Sequence, residues 1–134
     1  MGGSWVFKRI IELMLSLTGY RLVLWNGTTD MRMGINGLSG IICNEVKEDP
    51  FKGGTIYSFF NGRRTQVKLL VWEGDGFAIY HKRLSRGTFG TPVYDPATRT
   101  MVVEKKDLMM ILEGVEIRYR KRYSRQARKE SPES

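Results

Sequence analysis

Thr55-Ile-Tyr-Ser-Phe-Phe60, Gln66-Val-Lys-Leu-Leu-Val-Trp72 and Phe77-Ala-Ile-Tyr-His-Lys-Arg-Leu84 are three runs rich in β-branched and aromatic residues, separated by turn residues. Runs of this kind read as strands joined by hairpins. Asn61-Gly62 closes the first hairpin and Glu73-Gly74-Asp75-Gly76 the second, and Asp-Gly is a strong signal for a tight primed turn. The stretch therefore predicts an antiparallel β-meander. Because each strand reverses the last, the Asn61 to Arg64 turn and the far end of the third strand share one edge. Arg63, Arg64, Lys68, Lys82, Arg83 and Arg86 are expected to converge there, with acidic side chains at the other end. Centring the second turn on Asp75-Gly76 sets Lys68 opposite Arg83 and Leu70 opposite His81. Like charges facing across strands destabilise a sheet, so the arrangement is easiest to rationalise with an anion, most simply a phosphate backbone, lying over it. The plainer reading is a solvated basic strand end.

Outside the meander, Tyr20 to Trp25 reads as a strand ending in the Asn26-Gly27 turn. Thr28-Thr29-Asp30 forms a natural N-cap for a main helix whose stripe is Met31, Ile35, Leu38, Ile42 and Val46. That helix should stop at Glu48-Asp49-Pro50, since the residue before proline is pushed out of helical angles. Gly34, Gly37 and Gly40 form a side-chain-free strip on it. Close packing on the sheet is the expected use of the strip, and a nucleic-acid backbone or partner helix the alternative. Thr100 to Val103 adds a short strand, and Glu104 to Glu113 a second helix with Leu108, Ile111 and Leu112 inward and Gly114 past its end. The fold class is thus α+β: a meander of three to four strands packed against one main helix, with a short C-terminal helix. Trp72, Leu70, Ile79, Phe77, Phe59, Ile42, Leu38 and Leu112 are the expected core.

The chain divides into an amphipathic extension over 1–18, one domain over 19–117 and a basic tail over 118–134. In the extension Phe7, Ile10, Ile11, Met14 and Leu17 fall at helical spacing, which suits packing or self-association. The apolar run of residues 10–17, broken by Glu12, is far short of the ~20 residues of a membrane span, so no membrane partner is expected. The tail carries seven Lys or Arg against two Glu. Few apolar residues can offset the entropy of ordering it, and Arg118, Arg120, Lys121 and Arg122 join the candidate phosphate contacts.

Composition narrows the chemistry. The 134 residues suit one domain, and 22 Lys and Arg against 14 Asp and Glu leave a formal net charge of +8, a balance that favours nucleic acid or an anionic surface. One cysteine, Cys43, rules out an internal disulfide or a zinc ribbon, and one histidine, His81, removes most hydrolytic triads and zincin sites. The chain reads as intracellular, with no cofactor or metal expected. Asp30, Asp49, Glu73 and Asp75 are the only grouping worth weighing for a metal-dependent nuclease; as cap, helix stop and turn residues they have simpler roles.

Thr29-Asp-Met-Arg32 with Gly34 and Leu38, Asp49-Pro-Phe51, Phe60-Asn-Gly-Arg-Arg64, Lys68-Leu-Leu70 with Trp72, Gly74-Asp-Gly-Phe77, Tyr80, Lys82-Arg-Leu84, Arg86-Gly87, Phe89, Pro92 and Leu112-Glu-Gly114 occur in that order. Together, over about Tyr20 to Ile117, they resemble the TnpB-type second-reading-frame proteins of bacterial insertion-sequence-66 elements. The resemblance implies a small, non-catalytic protein that assists a separately encoded transposase, and the expected location is cytoplasmic. It implies nothing for residues 1–18, which precede the family's pattern. Joined to the charge argument, it gives a DNA-binding accessory factor that uses Arg32, the sheet-edge cations and the tail. The alternative is an adaptor that docks on the transposase without recognising DNA, through the glycine strip or the first helix. Self-association is left open.

Overall fold

The computed structural model describes residues 19–90, 92 and 97–113. The expected first helix, the basic tail with Arg118, Arg120, Lys121 and Arg122, and both outer boundaries fall outside these residues. Strand β1 (Arg21–Thr28) leads to a short α-helix, α1 (Ile35–Ile41), which passes into a π-helical turn over Ile42–Val46. A 3-10 turn (Pro50–Lys52) follows, then strands β2 (Thr55–Phe60), β3 (Gln66–Trp72), β4 (Phe77–Arg83) and β5 (Thr100–Val103), and finally helix α2 (Lys105–Leu112). The sheet order is β4-β3-β2-β1-β5.

The meander is present as β2-β3-β4, but it is half of a larger, mixed sheet. β1 pairs with β2 in parallel and with β5 antiparallel. Parallel neighbours need a crossover rather than a hairpin, and the chain from α1 to the 3-10 turn supplies it. This corrects the expectation that β1 ends at Asn26-Gly27. Those residues lie within the strand, in a register break between Leu24 and Thr28, after which Thr28 pairs with Phe60. The architecture remains α+β.

All six residues of β2 are buried, so both faces of the sheet are covered. On one face Val23, Trp25, Tyr57, Phe59 and Leu70 meet Leu38 and Ile42 of the crossover. On the other, Leu22, Leu24, Ile56, Phe60, Val67, Leu69 and Val71 meet Phe89 and the α2 residues Leu108, Ile111 and Leu112. Leu70, Phe59, Ile42, Leu38 and Leu112 are fully buried as expected. Ile79 and Phe77 are only half-buried because β4 is an edge strand, and Trp72 is half-buried at the end of β3.

The crossover helix is shorter than its apolar stripe suggests. Asp30 does not cap it: Asp30 Oδ1 accepts from the backbone N–H of Arg32 (2.9 Å), forming a local turn, and the N-cap is Gly34, without a side-chain bond. The π turn then bonds Lys47 N–H to Ile42 O, with Lys47 left-handed at φ 65°. Asp49 accepts from Phe51 N–H (3.0 Å) and so caps the 3-10 turn. The glycine strip does not pack on the sheet. A Cβ at Gly34 or Gly40 would meet nothing within 4 Å, and one at Gly37 would meet only Met33 of its own segment.

Beyond the π turn, Glu48 joins crossover to sheet. Arg21 donates to both its carboxylate oxygens (2.9 and 2.8 Å), and Tyr57 Oη donates to Oε1 (2.6 Å). The Arg21 hydrogen bonds, helped by Tyr57, hold the Glu48 carboxyl at about 2, below its ordinary 4.5. A carboxyl depressed in the folded state stabilises the fold above its unfolded pKa, and that contribution is lost as pH falls through the folded value. Glu48→Gln should therefore unfold more easily than wild type above about pH 5, where the unfolded carboxyl is ionised. The gap should close towards pH 2, as read by urea unfolding across pH 2 to 6. Asp30, also held low by Arg32, titrates in both proteins and cancels in the comparison.

Candidate nucleic-acid interface

The basic end of the sheet is organised by Asn61. Its Oδ1 accepts from Thr65 N–H and Gln66 N–H (both 2.9 Å), and its Nδ2 donates to Thr65 Oγ1 (3.0 Å). Arg64 adopts a left-handed φ of 57° to close this turn, with its N–H bonded to Asn61 O (3.0 Å). Backbone bonds then stitch the turn to the chain leaving β4: Leu84 N–H to Thr65 O (2.8 Å) and Phe89 N–H to Arg64 O (2.7 Å). Arg63, Arg83 and Arg86 are thereby brought to one end of the fold, all exposed.

The register differs from the expected one by two residues. Lys68 lies opposite His81, Gln66 opposite Arg83 and Leu70 opposite Ile79. The turn centres on Gly74-Asp75, with Glu73 N–H bonded to Gly76 O (2.8 Å). Gly74 is at φ 97°, and Asp75 is not left-handed, so positive φ falls at the first central position, as in a II′ hairpin. No direct Lys68–Arg83 opposition exists, and the cross-strand repulsion argument for an overlying anion falls away.

Several candidate cations are engaged within the fold. Lys68 Nζ donates to the carbonyls of Met31 and Met33 (both 2.7 Å), tying the start of the crossover to the sheet. Lys82 is 8% exposed, with Nζ 3.4 Å from Leu112 O at the end of α2 and 5.9 Å from the Phe89 ring centre. The Arg64 guanidinium lies 4.0 Å over the Phe60 ring and donates to Gly90 O. Arg32 is highly exposed, at 91%, but is clamped by Asp30, with Nη2 to Oδ2 at 2.7 Å. Among the described residues Arg63, Arg83 and Arg86 make no such contact. They are the cations of this end left for a partner, and Arg32 stands in the turn whose Met31 and Met33 carbonyls Lys68 holds.

His81, on the same face as Lys68, hydrogen-bonds Gln66 Oε1 through Nε2 (3.0 Å). Burial and then the charges of Lys68 and Arg83 lower its pKa below the ordinary 6.5. It is neutral at physiological pH and works as a polar spacer between two cations. Sequence reasoning gave His81 no such role, because it depends on the register of β3 against β4.

At the opposite end, Phe51, Trp72 and Phe77 form a mutual ring cluster with centroids 4.9–5.1 Å apart, and Phe51 is 57% exposed. Arg21, Lys47, Glu48, Asp49 and Lys52 line an open groove there. Among the described residues no group of three or more His, Cys, Asp or Glu side chains is placed to hold a metal. Nor is any helix among them long and apolar enough to cross a membrane.

The chain belongs to the family of IS66 Orf2-like, TnpB-type proteins, whose sequence profile it matches over residues 20–122. It is thus a member of an insertion-sequence accessory family. Similar proteins include two from Sinorhizobium fredii: the uncharacterized protein y4hO, 28% identical over 105 residues (76% of this chain and 88% of that protein), and the uncharacterized protein y4jC, 27% identical over 92 residues (69% and 78%). No solved structure matches the chain. Phe60 to Arg64, within the matched residues, is the turn that Asn61 organises.

The split between structural and available arginines is testable at adjacent positions. Arg64→Ala loses the contacts with Phe60 and Gly90 and keeps the left-handed backbone strain. It should cost about 1–3 kcal/mol in chemical unfolding, the usual scale for losing a half-buried hydrogen bond from a charged group. Arg63→Ala should change stability by under about 0.5 kcal/mol, as exposed substitutions do.

Proposed function

We propose that this protein is a non-catalytic accessory factor of transposition that binds DNA through phosphates held by Arg63, Arg83 and Arg86, with Arg32 and the basic tail extending the contact. The observation that carries this reading is the pattern of engagement at one sheet end: Lys68, Lys82 and Arg64 are tied into the fold, whereas Arg63, Arg83 and Arg86 are exposed and have no hydrogen-bond or ion-pair partner among the described residues. A net charge of +8 supports it, as does membership of an insertion-sequence family. Contacts of this type position a protein on a duplex without reading bases, which suits a helper that orients element DNA for a separate transposase.

The test is fluorescence-anisotropy titration of duplex and single-stranded DNA over a salt series. Each phosphate neutralised on a duplex contributes about −0.9 to the slope of log affinity against log salt. The triple variant Arg63→Ala/Arg83→Ala/Arg86→Ala should flatten the duplex slope by about 2 to 3 and leave the melting temperature near wild type. A wild-type slope near zero would refute the reading.

A second reading is an adaptor on the transposase. It is favoured by the exposed Phe51 ring against Trp72 and Phe77 and by the open surface over Gly34 and Gly40. Co-purification with the transposase that survives nuclease digestion would support it.

A further inference from the structure

We propose that β4 is a self-association edge, through which two copies of this chain pair antiparallel about a twofold axis at Tyr80. Among the described residues β4 bonds only to β3 and ends the sheet. It runs seven residues, Phe77 to Arg83, with no proline and an unbroken register against β3. Proteins usually blunt an edge with proline, a bulge, shortness or an outward charge. The other edge, β5, is short at four residues. Lys82, the sixth of the seven residues of β4, is drawn inward to Leu112 O and the Phe89 face and presents no charge along the outer side of the strand.

Charge selects the occupant and its orientation. The acidic turn with Glu73 and Asp75 precedes β4, and Arg83 and Arg86 stand at its other end, all exposed. Antiparallel pairing of β4 with its own copy sets each acidic turn against the partner's basic end, twice. Parallel pairing would set like charges together and would not close on a twofold axis. With Tyr80 facing Tyr80 on one face of the sheet, Phe77 faces Arg83 of the second copy and Ile79 faces its His81 on the other. Opposed aromatic and cationic side chains are favourable cross-strand neighbours. The result is a continuous ten-stranded sheet, and the proposal stands whether or not the basic end binds DNA.

The experiment uses the full chain without DNA, in sedimentation equilibrium and in cross-linking by a short bis-maleimide, the latter in a Cys43→Ser background. Wild type should dimerise, and Tyr80→Cys should cross-link to itself whereas Val102→Cys, on the exposed β5 edge, should not. Asp75→Lys and Arg86→Glu, both at exposed positions that leave folding intact, with Arg86 set against the Glu73–Asp75 turn of the second copy, should each raise the dimer dissociation constant about three- to thirtyfold, each contact occurring twice about the axis. Combining them should restore it to within about twofold, because the swapped charges again oppose. A protein that stays monomeric at concentrations on the order of 100 µM overturns the proposal, since mass action favours the dimer there. So does a dimer that cross-links through position 102 and not 80, or a charge swap that fails to restore pairing.

Discussion

β2 is buried at every position, and that constraint shapes the rest of the fold. A strand with Ile56, Ser58 and Phe60 on one face and Thr55, Tyr57 and Phe59 on the other, none of them exposed, must be the centre of a sheet covered on both sides. The crossover from β1 provides one cover through Leu38 and Ile42. The C-terminal helix provides the other through Leu108, Ile111 and Leu112. Ser58 Oγ is buried in this arrangement with no hydrogen-bond partner among the described residues. A small hydroxyl therefore sits where Leu24 and Leu69 close in from the neighbouring strands.

The covers are fastened to the sheet by cations rather than by packing alone. Lys68 binds two carbonyls ahead of α1, Lys82 approaches the last carbonyl of α2, and Arg64 reaches Gly90 across the chain leaving β4. Carbonyls at helix ends and in irregular segments have no regular partner, and a long basic side chain from the sheet satisfies them while its stem lies along apolar surface. A strongly basic composition thus divides into two populations with different jobs. Counting Lys and Arg gives the field that a partner meets only after the fastening residues are set aside.

This division explains what was legible. Strand runs, the two hairpins, the short strand at Thr100 to Val103 and the C-terminal helix follow local patterns, and the structure places them within a residue or two of the reading. The parallel β1–β2 pair left no local trace, because its partners are set by the packing of a crossover whose helix stops at Ile41. Asn26-Gly27, a turn signal in isolation, is absorbed into a bulge. The two-residue error in the β3–β4 register came from Glu73-Gly74-Asp75-Gly76 offering glycine at two phases; the left-handed angle went to Gly74 and not to Gly76. The convergence of basic residues was readable from topology. Which of them are occupied was not, since the acceptors at Met31, Met33, Gly90 and Leu112 come from distant segments.

The sheet order also bears on how the chain must assemble. β1 sits inside the sheet, yet one of its two neighbours, β5, trails it by about seventy residues, several seconds of synthesis at typical ribosomal rates. Through that interval Leu22 to Trp25 holds an open apolar edge beside β2, and the face that α2 will cover stays wet. Long-range pairing of this kind is slow to form and exposed to misassociation. The last strand to arrive is the one that seals the oldest, and the burden of staying soluble in the meantime falls on the nascent chain's charge.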